Sequence, residues 1–301
     1  KKEPITPSEY HELCRKMSFK KSDFDGIIER CRKSKNMTTT FAISELAFNQ
    51  LLLFNKSTNE EDDSKAYLNF YLKINESLNE GENKIVTNLW VDSEIDLVFD
   101  DMKKIYNIKQ IDMDGFDKSW KNFENSTDAQ FKQEGNCVIA NKLIIKETSL
   151  TNAIKQDDNI VFYKNIYTNS DESLVKIDIN KKLALLIFSR KSSFDKKLIL
   201  KQLKTIELKD NMLVIIPKLE ISTIFDFKKI PSLLKDKIGE FNKSTNTGNI
   251  ISIVTFILDT NEDNNKKINK EEYTNTYEKK SFNFMLLHTP SNQIIMTGVV
   301  Y

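Results

Sequence analysis

The segment Ser281–Tyr301 reads SFNFMLLHTPSNQIIMTGVVY: two apolar runs joined by a tight turn, with no polar tail behind them. Most chain ends fray, so an end this apolar predicts two buried strands that sit inside a sheet and complete the core. Whatever fold the rest of the chain adopts has to supply neighbours on both sides of that hairpin.

The remaining composition narrows the possibilities. With 301 residues the chain can bury a substantial core, as one large domain or two small ones. Lys and Arg number 45 against 44 Asp and Glu, so no global field favours nucleic acid or an anionic membrane. The longest apolar runs, Leu183–Phe188 and Leu213–Ile216, are strand-sized and far short of the roughly twenty residues of a membrane span. No leader is apparent at Lys1, which says little about secretion. Cys14, Cys31 and Cys137 form no C-x-x-C pair and read as buried thiols rather than as a metal or redox site. His11 and His288 are too far apart in sequence for a local metal motif, and the scattered glycines build no phosphate-cradling loop. No cofactor, metal site or enzymatic activity is expected.

Hydrophobic periodicity predicts helices first and strands later. Ser8–Lys33 has helical spacing, Thr38–Phe41 reads as a strand running into a buried helix over Ile43–Phe54, and Tyr67–Leu78 is a further helix. Lys84–Asp92 alternates like a strand, Leu97–Tyr106 reads as a helix, Lys109–Met113 as a short strand, and Asn122–Gln133 has no clear pattern. Strands are predicted at 137–145, 160–163, 174–179, 183–189, 212–216 and 219–224, with helical breaks near 196–203 and 230–238. That order is α+β rather than doubly wound.

Several segments, in order, resemble a known family. Asn36–Lys56 is similar to the strand and buried helix that serpins write as N-V-V-F-S-P-x-S-I-x-x-A-L-x-M-L. Val86–Val91, then Phe99, Tyr106 and Ile111–Met113, resemble A-N-x-L-F-V, its downstream Phe and Tyr, and V-D-F. Val138–Lys146 resembles L-V-N-A-x-Y-F-K, Val214–Ile221 resembles V-x-L-P-K-F-x-I, and Phe282–Leu287 with Ile294–Gly298 resembles P-F-x-F-x-I and I-L-F-M-G. The match is poorest over Glu147–Leu174, and the chain is several tens of residues shorter than a typical member. The resemblance implies one serpin-like α+β domain over residues 1–301, with a long central mixed β-sheet, smaller flanking sheets and a helical N-terminal part.

Inhibitory serpins offer a bait loop that, once cut, inserts as a new strand in the central sheet. The family hinge reads E-E-G-T followed by small residues. Aligning Thr255–Asp259 with the preceding strand puts Asn261-Glu262 on the acidic pair, Asp263 on the Gly and Asn264 on the Thr. Asn265, Lys266, Lys267, Ile268, Asn269 and Lys270 fall on the small residues. Burying Asp263 and the three lysines after it, Lys266, Lys267 and Lys270, is costly, and adjacent lysines cannot both point away from a core because a strand alternates its faces. The loop from Glu262 to Phe282 is also several residues short.

The resemblance further assigns a sheet-opening region at Thr40, Ile43, Asn141 and Ile253. There the family's buried Asn is kept as Asn141, its Ser and His become Ile43 and Ile253, and Ser149 takes the place of a Trp. These replacements predict a statically packed sheet. Arg190, Lys191, Lys196, Lys197, Lys201 and Lys204 read first as a solvated helix face and alternatively as a site for a polyanion such as a glycosaminoglycan. N-x-S/T sequons occur at Asn36, Asn55, Asn75, Asn125 and Asn242, at about the frequency expected by chance in so Asn-rich a chain. The Asn and Lys enrichment suits an AT-rich genome, that of a parasite or virus.

The expectation is a serpin-like protein that binds another protein, a protease or host factor, without loop-insertion inhibition. It is expected to lie outside the cell, with a cytoplasmic location as the alternative. Two other readings stand beside it: an inhibitor or decoy of trypsin-like proteases with Lys266, Lys267 or Lys270 as bait, and an unrelated α+β interaction protein.

Overall fold

The computed structural model describes residues 40–44, 46–47, 61–92, 106–110, 113–124, 137–192, 195–226, 247–260 and 268–301. They divide into two compact units, one drawn from 46–144 and 223–254, the other from 20–45, 145–222 and 255–301. The expected helices over Ser8–Lys33 and 230–238, and the sequons at Asn36, Asn55, Asn125 and Asn242, lie outside the described residues. Asn75 falls within a helix.

The first unit holds two helices and most of a five-stranded sheet. Helix α1 (Glu61–Leu78) buries Phe70, Tyr71, Ile74 and Leu78, the recurrence that gives a helix one apolar face. Asn79 ends it: its Nδ2 donates to the Asn75 carbonyl at 2.8 Å, and its Oδ1 accepts from Ile85 N at 2.9 Å. The turn then passes through Gly81 at φ +62°, where lack of a Cβ removes the steric cost. Strand β2 (Lys84–Val91) follows, pairing in parallel with β3 (Tyr106–Gln110) and antiparallel with β4 (Cys137–Glu147). With β12 (Leu219–Asp226) and β13 (Thr247–Leu258) the order is β12-β13-β4-β2-β3, so the sheet is mixed, as expected.

Between β3 and β4 lies helix α2 (Met113–Glu124), which the sequence reading missed. Tyr106 opens β3 instead of closing a helix, and Met113 opens α2 instead of closing a strand. The signal was Phe116, Trp120 and Phe123 at i, i+4 and i+7. These rings surround Trp90 of β2 at centroid distances of 5.6, 5.6 and 5.2 Å. Trp90 Nε1 donates to Ser119 Oγ at 2.8 Å. Lys142 of β4 donates to the Phe123 carbonyl and stands over the Phe123 ring, a cation at the end of the helix where the backbone dipole is negative. Burial lowers the pKa of this ammonium, with Lys84 adding to the effect.

The second unit contains a seven-stranded and a four-stranded sheet. The larger runs β1-β16-β15-β9-β8-β7-β10 and is built from β1 (Phe41–Ile43), β7 (Ile166–Thr168), β8 (Leu174–Asp178), β9 (Leu183–Phe188), β10 (Glu207–Leu208), β15 (Phe282–His288) and β16 (Gln293–Val300). It has more strands than the mixed sheet, but none exceeds eight residues, against 11 and 12 for β4 and β13. Every residue of β9, β15 and β16 is buried, the pattern of strands covered on both faces, and β15 and β16 form the expected terminal hairpin. Ile43 belongs to β1, opposite Thr297, so the helix expected from Ile43 begins later; Leu46 and Ala47 are helical.

The smaller sheet runs β14-β11-β6-β5, from β5 (Ala153–Gln156), β6 (Asn159–Phe162), β11 (Met212–Pro217) and β14 (Asn275–Glu278). Strands β5, β7, β10 and β14 were not anticipated, being two to four residues long and partly polar. Helix α3 (Lys196–Gln202) matches its prediction and is capped by Asp195, which accepts from Leu198 N at 3.0 Å.

Candidate functional site

Strand β13 delivers the chain to the loop. Beyond its end, Asp259 N donates to the Glu147 carbonyl at 3.0 Å, and buried Thr260 makes an antiparallel bridge with Ser149. Lys155 Nζ lies 3.9 Å from Asp259 Oδ2, and Asn180 Nδ2 donates to Glu147 Oε1 at 3.0 Å. The ends of β4 and β13 are thereby joined through backbone contacts, with Ser149 contributing its backbone to the bridge.

Of the loop positions singled out from sequence, Asn261, Glu262, Asp263, Asn264, Asn265, Lys266 and Lys267 lie outside the described residues. Ile268, Asn269 and Lys270 are described: Asn269 is extended, and Lys270 opens a 3-10 turn rather than continuing a strand. Ile268 and Tyr273 pack onto one face of the four-stranded sheet, against the buried side chains of Ile154, Val161, Leu213 and Ile215. Tyr163 is the other described residue packed on this cluster. Between the two anchors the chain makes a single 3-10 turn, Lys270–Glu272, capped by Asn269, whose Oδ1 accepts from Glu271 N at 3.3 Å. Lys270, Glu271 and Glu272 face solvent. The segment then locks into β14: Asn275 N donates to the Asn211 carbonyl, and Lys279 N to that of Ile215. Residues 268–273 thus form a strap across the small sheet. Nothing local in the sequence signals it, because a lone Ile amid Asn and Lys has its apolar partners far away in the chain.

The residues assigned to the sheet-opening region from the resemblance fall in both units, Asn141 and Ile253 in the first and Thr40 and Ile43 in the second. Asn141 does anchor a buried polar contact, its Nδ2 donating to Thr87 Oγ1 at 2.7 Å across the β2–β4 pair. Ile253 is on the opposite face of its sheet, in the cluster of Trp90, Phe116, Trp120, Val138 and Ala140. By strand alternation, the β13 residues on the other face include Ser252, itself buried. Ile43 is buried in β1, while the hydroxyl one residue later, Ser44 Oγ, donates to the Ile295 carbonyl at 2.7 Å. Thr40 serves the chain end instead, its Oγ1 accepting from Tyr301 N at 3.0 Å.

The six basic residues also separate. Arg190 is committed internally: Nη1 donates to Ser281 Oγ at 2.8 Å, and the guanidinium stacks 3.9 Å from the Tyr301 ring centroid. Lys196 is only 4% exposed, against the expectation of a wholly solvated face. Lys191, Lys197, Lys201 and Lys204 are exposed, the last three at i, i+4 and i+7. That is a short stripe running from the seven-residue helix into the 3-10 turn Leu203–Thr205, with the exposed Leu198 beside it.

Two further groups are chemically notable. His288 is buried, its Nδ1 lies 2.6 Å from Ser291 Oγ, and burial with Lys182 nearby lowers its pKa to about 4. Cys137 is fully buried, and burial, with Asp92 adding to it, pushes its thiol to about 12, matching the buried-thiol reading; Cys14 and Cys31 lie outside the described residues. No cluster of three or more His, Cys, Asp or Glu able to hold a metal occurs among the described residues, and no described helix is long and apolar enough to cross a membrane.

No family model and no curated protein matches the sequence. Solved structures do match in shape. The chain superposes on thyroxine-binding globulin in complex with thyroxine at a TM-score of 0.70 and 11% identity, with 92% of this chain and 96% of that one covered. Native protease nexin-1 with heparin gives 0.65 at 13% identity, and a tumour-suppressing serpin also gives 0.65 at 13%, each with the same two coverages. At such identities the likeness is one of fold, and the fold is that of the serpins.

Proposed function

We propose that this serpin-fold chain works by binding another protein, without catalysis and without trapping proteases through loop insertion. The observation that supports this most strongly is the docking of Ile268 and Tyr273 on the small sheet. Only Asn261–Lys267 separate the strap from the Ser149–Thr260 bridge. Fully extended, that segment spans at most about 25 Å. Strands β4 and β13, between which it would have to lie, are 11 and 12 residues long and already hydrogen-bonded neighbours. A segment of that length would cover little more than half of either strand.

Side-chain chemistry works in the same direction. Of the adjacent Lys266 and Lys267, one would have to point into the core on insertion, and each unpaired buried charge costs several kcal/mol. The joined ends of β4 and β13 would have to part first. A binding role suits the fold, since thyroxine-binding globulin carries thyroxine in one of the matched structures.

Incubation with a panel of trypsin-like proteases tests the reading. Cleavage within 261–280 is expected, with no complex that survives denaturing electrophoresis and little change in the melting temperature of the cut protein. A denaturant-stable band, or a large rise in melting temperature after the cut, overturns it.

A further inference from the structure

Lys270 is exposed, so exposure alone makes it a trypsin site as good as any other lysine in the loop. Its backbone argues otherwise. It opens the 3-10 turn that Asn269 caps, with Glu272 N bonded to the Asn269 carbonyl and Tyr273 N to its own carbonyl. Two residues before it and three after it, Ile268 and Tyr273 are held on Ile154, Val161, Leu213 and Ile215. A protease cleft binds several residues on each side of the scissile bond in extended form. Reaching the Lys270–Glu271 bond therefore requires both anchors to leave the sheet and the turn to unwind together.

We infer that the strap is a built-in shield: it removes Lys270 from the reach of trypsin-like proteases while leaving its side chain displayed to solvent. The inference rests on the binding reading above and deepens it. Hydrolysis adds water across a lysyl amide, leaving a carboxylate on the lysine and an ammonium on the next residue. With Lys270 shielded, a cut on the upstream side of the strap falls at or before Lys267. The downstream piece stays docked, and Asn269, Lys270, Glu271 and Glu272 remain a fixed surface feature after the cut.

Cutting of a docked segment tracks the population of its open form, and releasing two anchored side chains keeps that population at about one part in a hundred. The test is limited trypsin digestion of the full chain, each cut timed by mass spectrometry, beside a synthetic peptide of residues 264–277 that carries the same flanking acids. The Lys270–Glu271 bond is expected to be cut about a hundredfold more slowly in the chain than in the peptide. In the I268A/Y273A variant the rate should come within tenfold of the peptide's, and N269A, which removes only the cap, should fall between. A wild-type rate within threefold of the peptide overturns the shield whatever the variants do, and so does a folded double variant that stays as protected as wild type. If I268A/Y273A does not fold, wild type against peptide and N269A decide the matter. A denaturant-stable protease complex would sink the binding reading yet leave the timing at Lys270 readable.

Discussion

Gly298 of β16 offers a sharp test of how tightly the terminal hairpin is enclosed. It pairs with Ala42 of β1 on one side and Phe284 of β15 on the other. A Cβ at this position would sit 2.3 Å from the Phe41 carbonyl oxygen and 2.6 Å from Cε1 and Cζ of Phe284. Carbon contacts are comfortable near 3.5–4.0 Å, so the methyl group overlaps its neighbours by about 1 Å on two sides. Neither neighbour yields easily. The carbonyl belongs to the β1–β16 ladder, and the Phe284 ring is fully buried with Phe256 5.6 Å away. Overpacking of one carbon ordinarily costs about 1–3 kcal/mol, and a clash with backbone belongs at the top of that range. Lower unfolded-state entropy offsets about 0.4–1 kcal/mol. The net loss for Gly298→Ala is about 2–3 kcal/mol, a drop of roughly 3–5 °C in melting temperature for a chain of this size.

Gly81 is the control. A Cβ there meets nothing within 4 Å, and the only penalty is its φ of +62°, worth about 1–2 kcal/mol for alanine before the same entropic offset. Thermal and urea unfolding of the two single variants should therefore rank Gly298→Ala clearly below Gly81→Ala. Equal losses, or a milder effect at Gly298, would refute the reasoning that close approach of β1 and Phe284 dictates glycine in β16.

Two other outcomes are expected. His288 is held neutral in the fold with its pKa lowered to about 4, whereas an unfolded histidine titrates near 6.5, so the unfolded chain takes up the extra proton between those values. The stability tied to neutral His288 is complete above about pH 6.5 and is lost as the pH falls to about 4, a change on the order of 3 kcal/mol. Comparing His288→Asn with wild type across that window should flatten the slope, and an unchanged slope would dismiss the histidine as its source. Cys137, with its thiol pushed to about 12 inside the core, should resist a thiol reagent at pH 8 until denaturant is added; modification of Cys137 in the native protein at the rate of a free thiol would contradict its burial.

How legible these features were in the sequence depended on the distance over which each is determined. The hairpin could be read because strands covered on both faces are apolar at every position, and Phe282–Leu287 and Ile294–Val300 are nearly so. Asn141 and its buried setting were also legible through family resemblance. Ile253 was assigned beside Asn141 from the resemblance, whereas its side chain lies among the aromatic rings; neighbouring strand residues take opposite faces, and which face a residue takes is fixed by register and not by local sequence. Lys196 was read as solvated because charge implies water, whereas a long aliphatic stem can be buried along a helix. The strap was illegible: Ile268 gains its meaning only from Ile154, Val161, Leu213 and Ile215, which reach it through the fold and not through sequence proximity.

The pairing of β1 with β16 also sets a clock on biosynthesis. Ser44 and the Ile295 carbonyl it bonds are 251 residues apart, so a ribosome adding about 5–20 residues per second leaves β1 without its partner for roughly 13–50 seconds. Throughout that interval Phe41, Ala42 and Ile43 have no β16 of their own to pair with, and the β16 of a neighbouring chain that has not yet closed its sheet has the same register to offer. Assembly of the seven-stranded sheet is therefore a late event in which correct closure competes with pairing between molecules, and the yield of native protein should fall as the local concentration of nascent chains rises.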